Sequence, residues 1–240
     1  MLLLNLMFVV VLTLYIGRKL RGADLPALAL KTTATVLCIA MALLLLYQSH
    51  SALGWAAEVV LAALLCGLVG DVFLDLKLVY PQDGAWFTHA GFVSFGIGHV
   101  GYWLYFFSQY QWRMPMLAVW ALVVALALWL VLASEKPLGL DYGRFRPITA
   151  VYTVLLVGAW AQAGMLWWLD GGLFLAVLAL ALLLFVVSDA ILSQSYFGLR
   201  PEQPWMVVGN YLFYYGAQVL VAWSLLWAPP PPCLQAACGL

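Results

Sequence analysis

Eight apolar runs, approximately 1–16, 26–47, 54–76, 87–107, 115–133, 147–169, 172–194 and 204–228, take up almost the whole of this 240-residue chain. A helix that crosses a bilayer needs about 20 predominantly apolar residues, so runs of this length allow about eight spans and little else. The runs are too long and too uniformly apolar for barrel strands, which alternate over about ten residues. Composition agrees: 66% of the residues are hydrophobic and 8% charged, against about 45–50% apolar and ~25% charged in soluble domains. The expected fold is all-α, a polytopic membrane helix bundle of about eight transmembrane helices. Residues 1–228 form its single domain, and 229–240 a Pro-rich C-terminal tail that opens with Pro229-Pro230-Pro231-Pro232. The first run has no small-residue cleavage site behind it and reads as a retained helix rather than a signal peptide.

The same composition excludes other classes. Ten Lys+Arg balance ten Asp+Glu, which leaves no basic patch to track a nucleic acid. Twelve each of Trp, Tyr and Phe are too apolar for a solvated coil. Cys38 and Cys66 lie inside apolar runs, where a thiol behaves as a small hydrophobe. Cys233 and Cys238, in the tail, are either two free thiols or a disulfide. No CxxC pair supports a zinc-thiolate or redox motif, and no cofactor is expected.

Separators carry turn chemistry: Arg18-Lys19-Leu20-Arg21-Gly22, Pro81-Gln82-Asp83-Gly84, Lys136-Pro137-Leu138-Gly139, Asp170-Gly171-Gly172 and Arg200-Pro201-Glu202. Connectors after runs one, three, five and seven hold Arg18, Lys19, Arg21, Lys77, Lys136, Arg144, Arg146 and Arg200, whereas the opposite side holds only Arg113. Basic residues accumulate on the cytoplasmic side, so the odd connectors are expected inside and both termini outside. Tryptophans near run ends (Trp55, Trp86, Trp112, Trp167, Trp168, Trp205, Trp227) fit interfacial belts.

An ionisable group at the bilayer centre costs at least ~2.5 kcal/mol on insertion scales, so each one inside a run needs a reason. These are Lys31, Glu58, Asp71, Asp75, His99 and Asp189, with Asn210 and Gln218 as uncharged company. Glu58 reads as an interface residue. Lys31 is near enough to the inner surface to snorkel, and a functional role for it is an equal alternative. Asp71 and Asp189 come from different runs, yet each lies roughly six residues, ~9 Å, from the cytoplasmic end. His99 lies deeper, near the midplane.

Helical spacing puts Gly67, Gly70, Asp71, Leu74 and Asp75 on one face of the third run. Gly91, Phe95, Gly98, His99 and Tyr102 form a stripe on the fourth. The seventh contributes Phe185, Ser188, Asp189 and Leu192, and the eighth Tyr211, Tyr214, Tyr215 and Gln218. Interhelical hydrogen bonding accounts well for Ser188, Asn210 and Gln218. It accounts poorly for two buried aspartates, because Asn would do the same work at lower cost.

At these residues the chain resembles the YhhN-like lysoplasmalogenase family. The matching pieces are Gly70-Asp71-Val72-Phe73-Leu74, Phe95-Gly96-Ile97-Gly98-His99-Val100-Gly101-Tyr102, Phe185-Val186-Val187-Ser188-Asp189, and Tyr211 through Gln218 followed by Ser224. They recur in the family's order over nearly the whole chain, with a Lys early in the second run. Two departures are Thr32, where the family usually has Pro, and Asp75, at a position associated with an apolar residue.

The resemblance implies a multi-pass protein of a cell membrane, the bacterial inner membrane. It also implies hydrolysis of the vinyl ether bond of a lysophospholipid drawn from the membrane lipids, yielding a fatty aldehyde and glycerophosphoethanolamine or glycerophosphocholine. Protonating the outer alkenyl carbon creates an oxocarbenium ion that water captures, the same electronic problem as glycoside hydrolysis by two carboxylates. Two carboxylates sharing a low-dielectric pocket do not both ionise, which keeps one as a proton donor. Asp71 and Asp189 are the expected pair. His99 suits the orienting of one carboxylate or the shuttling of its proton, and Lys31 or Tyr215 suits a phosphate or product oxygen. Asp75, Tyr102, Ser188, Asn210, Tyr211 and Gln218 complete the expected substrate-binding set.

Two other readings compete. His99 with Asp71, Asp75 and Asp189 is a conceivable zinc set, but no HExxH or HxxxH spacing supports it, and His50 and His89 lie near membrane boundaries. Intramembrane Asp, His and Lys also mark proton-coupled transporters of small or lipid-like solutes. Such transporters normally show internal repeats, and runs one to four do not repeat convincingly in five to eight. A structural scaffold, the third class, leaves the aspartates unexplained.

Overall fold

The computed structural model describes residues 1–22, 24–48, 54–199 and 202–229. Every apolar run is a helix, as it must be where no water is present to satisfy backbone groups. In chain order they are α1 (Leu2–Lys19), α2 (Leu25–Gln48), α3 (Trp55–Val79), α4 (Gly84–Gln109), α5 (Met114–Ala133), the single turn α6 (Glu135–Leu138), α7 (Arg146–Asp170), α8 (Leu173–Phe197) and α9 (Pro204–Ser224). Among the described residues no β-strand occurs, only an isolated antiparallel bridge between Leu140 and Gly198. The last run is α-helical only to Ser224 and closes in a 3-10 turn, Leu225–Trp227. His50, Arg200, Cys233 and Cys238, which the sequence singles out, lie outside the described residues.

Six of the helices, α1, α2, α3, α5, α7 and α8, are long and apolar enough to cross a membrane, making this a multi-pass membrane bundle. Helices α4 and α9 contain 26 and 21 residues, about 39 and 31 Å at 1.5 Å per residue. They are less apolar because each presents polar groups to the interior: Thr88 and His99 on α4, Asn210 and Gln218 on α9, all buried.

Helix contacts trace a closed ring, α2–α3–α4–α7–α8–α9 and back to α2. Helix α1 lies outside it against α2 and α9, and α5 lies outside against α7. Val124 is the one buried residue of α5. Much of the rest of that helix, Leu122 and Trp129 included, is exposed as a lipid-facing surface should be. Helices α3 and α4 approach closely because each offers a glycine to the other. A Cβ on Gly70 would stand 2.5 Å from Phe95 Cε2, and one on Gly91 2.5 Å from Leu74 Cδ2. Lipid tails are as apolar as leucine, so helices in a membrane associate through such close packing and not through hydrophobic exclusion.

The connectors that carry most of the basic residues share one end of the ring, called here the basic end. Arg18 pairs with Asp24 across the α1–α2 connector at 2.5 Å, and Arg146 with Glu135 at 3.3 Å. Asp24 also caps α2 by accepting the Ala27 N–H at 2.9 Å. The Arg18 guanidinium beside it holds the Asp24 carboxyl below the usual carboxylate range. The α6 connector folds back over this end, where Asp141 N–H donates to Phe197 O and Leu199 N–H to Gly139 O, both at 2.8 Å. Gly139 makes that turn with φ +63, a left-handed conformation available to glycine at no steric cost.

Candidate active site

Asp71 and Asp189 each stand eight residues before the last residue of their helices, Val79 and Phe197, about 12 Å from the basic end. Lys31, Tyr152 and Asn210 each lie six residues inside α2, α7 and α9, about 9 Å from the same end. Five side chains from five helices thus fall in one layer of the ring. They line a cavity of about 150 Å³ whose remaining wall is mostly apolar, including Phe92, Phe95, Leu156, Val157 and Val186.

The two aspartates face this cavity with unlike partners. Lys31 Nζ stands 3.1 Å from Asp71 Oδ1. Thr35 Oγ1 and the Tyr214 hydroxyl donate to Asp71 Oδ2 at 2.6 and 2.7 Å. Asp71 therefore has one cation and two hydroxyl donors, the complement expected of a buried anion. Asp189 has one donor, the Tyr152 hydroxyl, at 2.6 Å to Oδ2. Among the described residues no Lys, Arg or His reaches it within ion-pair distance. Asp71 is 1% exposed, whereas Asp189 is half-buried, its open side on the cavity wall.

The remaining expected residues divide by position. Asn210 Oδ1 accepts from Ser188 Oγ at 2.7 Å, which joins α8 to α9 beside Asp189, and both side chains line the cavity. Tyr211 lines it as well. Asp75 is not in the wall. Its Oδ1 is shared by Lys31 at 3.3 Å and Lys19 at 3.7 Å, and its Oδ2 accepts from Tyr15 at 3.2 Å. The carboxylate found at an unexpected position thus holds Lys31 from below. Tyr215 and Gln218 stand behind the site: Tyr215 donates to Lys31 O at 3.0 Å, and Gln218 Nε2 to the Tyr214 hydroxyl at 2.7 Å.

His99 does not join them. It lies fifteen residues inside α4, about 22 Å from the basic end and hence about 10 Å beyond the aspartate layer. Tyr152, Phe185 and Tyr102 surround its ring, with centroids 5.7, 6.1 and 6.3 Å away. Neither ring nitrogen has a hydrogen-bond partner among the described residues. With Gly67, Tyr102 and Gln218 it lines a separate pocket of about 20 Å³. Among the described residues no three His, Cys, Asp or Glu side chains converge as a metal-ligand set.

Sequence reasoning missed Thr35, Tyr152 and Lys19 as partners of the carboxylates. Thr35 follows Lys31 by one helical turn, a spacing that puts both on one face and was readable. Tyr152 had no such signal, because its partner is on another helix.

No curated protein and no solved structure matches the chain. A family model, described as the YhhN family, matches residues 27–225, a span that contains both aspartates and runs through all six ring helices; the chain belongs to the YhhN family.

Proposed function

We propose that this protein hydrolyses the vinyl ether bond of lysoplasmalogens, releasing a fatty aldehyde and a glycerophosphodiester. The observation that carries the reading is the pair of aspartates on one apolar cavity, one compensated by Lys31 and one without a cation. A half-buried carboxylate on an apolar cavity is costlier to ionise without a cation than with one, so Asp189 serves as the acid and Asp71 as the anion.

Asp189 delivers its proton to the outer alkenyl carbon. The C=C pair forms the new C–H bond, and the positive charge is left on the oxocarbenium centre. Asp71, held ionised by Lys31, faces that charge and takes a proton from the attacking water. The resulting hemiacetal collapses to aldehyde as the glycerol oxygen leaves with a proton. Preorganised charge in a water-poor cavity is worth more than the same charge in bulk water. The Tyr152 hydroxyl orients Asp189 and stabilises the carboxylate formed when its proton departs.

Purified protein given a lysoplasmalogen is expected to release aldehyde, and its saturated ether analogue none. Absence of aldehyde from the vinyl ether, with folded protein in hand, overturns the proposal.

We further infer that the basic end faces the cytoplasm and that both termini lie outside, because basic residues collect in the connectors at that end. Reporter fusions at Leu240 and near Leu140 are expected to score outside and inside respectively; a cytoplasmic C-terminus overturns this orientation.

A further inference from the structure

Of the three lysines at the basic end that are not exposed, Lys19, Lys31 and Lys77, Lys77 alone has no ion pair among the described residues. Lys19 and Lys31 are bound by Asp75 and Asp71. Lys77, six residues beyond Asp71 on α3 and half-buried, instead sits with Nζ 2.9 Å from the ring centroid of Tyr196. Tyr196 is one residue from the end of α8 and forms part of the cavity wall. An ammonium has three N–H donors. A ring face meets part of its charge but is a poor substitute for an anionic oxygen. Lys19, Lys31 and Lys77 stand beside two carboxylates, and Glu202, just before α9, is exposed and forms no ion pair with them among the described residues.

We propose that Lys77, seated on Tyr196, is the principal ligand of a phosphate-binding site at the basic end, next to the part of the cavity wall that Tyr196 forms, and that this site receives the phosphate of the lysophospholipid. The inference deepens the hydrolase reading and rests on it for the choice of lipid. Dimensions support the match. From the alkenyl carbon that takes the proton to the phosphorus of such a lipid there are seven bonds, about 9 Å when extended at the ~1.25 Å per bond of an open chain. From Asp71 to Lys77 there are six residues of helix, about 9 Å along the axis. A lipid whose vinyl ether lies at the aspartate layer therefore has its phosphate at the level of Lys77. Its hydrocarbon chain continues the other way, along Phe95, Leu156 and Val186. The last turn of a spanning helix is also where lipid phosphates lie, so the head group need not be drawn into hydrocarbon.

The test measures binding, so it stands apart from turnover. Affinities of the non-cleavable 1-alkyl-glycerophosphoethanolamine and of 1-alkylglycerol, which lacks the phosphate, are compared on intact protein in nanodiscs. The wild type is expected to prefer the phosphorylated lipid by about tenfold or more, the usual scale of a charge-assisted hydrogen bond. In Lys77→Gln that ratio should collapse toward one, and in Lys77→Arg most of it should return. A ratio unchanged in Lys77→Gln, or no preference in the wild type, overturns the site. Reading a ratio within each folded variant removes any general loss of affinity. Inorganic phosphate is the second arm: displacement of the phosphorylated lipid at millimolar concentration identifies a site that also takes free phosphate, and no displacement identifies the lipid as its source. Both results support phosphate recognition. A wild type that shows the ratio but releases no aldehyde from a vinyl ether overturns the hydrolase reading and leaves the phosphate site standing.

Discussion

Asp189→Asn and Asp71→Asn should each lower lysoplasmalogen turnover by at least ~10²-fold, the contribution typical of general acid–base groups. The inserted, folded protein should survive both changes. Asp189→Asn keeps an acceptor for Tyr152 and removes no ion pair found among the described residues. Asp71→Asn removes one of the two carboxylates around Lys31, but Asp75 stays 3.3 Å from the ammonium. Its cost should therefore fall below the ~3–5 kcal/mol of breaking a buried pair outright. Asp75→Asn should reduce turnover less than either, since Asp75 is outside the cavity wall and acts by holding Lys31. Turnover and thermal unfolding, measured on the same preparations, separate the two effects. Near-normal turnover by Asp71→Asn would refute the two-carboxylate mechanism. A chelator should leave turnover unchanged, and loss of activity restored by zinc would point to metal chemistry instead.

A second large effect concerns the fate of the proton. If Asp189 protonates carbon, turnover in heavy water must place one deuterium on the carbon next to the aldehyde. Water attack on the oxocarbenium ion must put solvent oxygen in the aldehyde and leave the glycerol oxygen unlabelled. Aldehydes exchange both labels slowly, so the product is to be trapped by reduction as it forms and read by mass spectrometry. The saturated ether cannot form the cation and should bind without cleavage. Aldehyde with no deuterium at that carbon would exclude acid catalysis at carbon, whatever the variants show.

Much of the architecture was legible in the chain because a bilayer imposes it residue by residue. Runs of about 20 apolar residues must be helices, and all eight are. Glycine spacing on the third and fourth runs announced a close contact, which the structure has at Gly70 and Gly91. The common depth of Asp71 and Asp189 followed from counting along two helices of opposite position in the chain. It held although both helices extend three residues beyond their apolar runs, since equal extensions leave the relative depth unchanged.

Depth and helix face are properties of one helix and can be read from its sequence; partnership depends on how helices rotate and order around the ring, which no single helix encodes. The chain by itself determined an all-α multi-pass bundle, the polar stripes and the layer holding two aspartates. Only the tertiary structure decided that Lys31 belongs to Asp71 and Asp75, leaving Asp189 with Tyr152 and no cation among the described residues. It likewise packed His99, whose greater depth the sequence had shown, among Tyr152, Phe185 and Tyr102, and turned Lys77 onto Tyr196. The reason is geometric: along a helix 3.6 residues complete a turn, so sequence fixes direction around its own axis, while the neighbour met in that direction is chosen by close packing between helices distant in the chain.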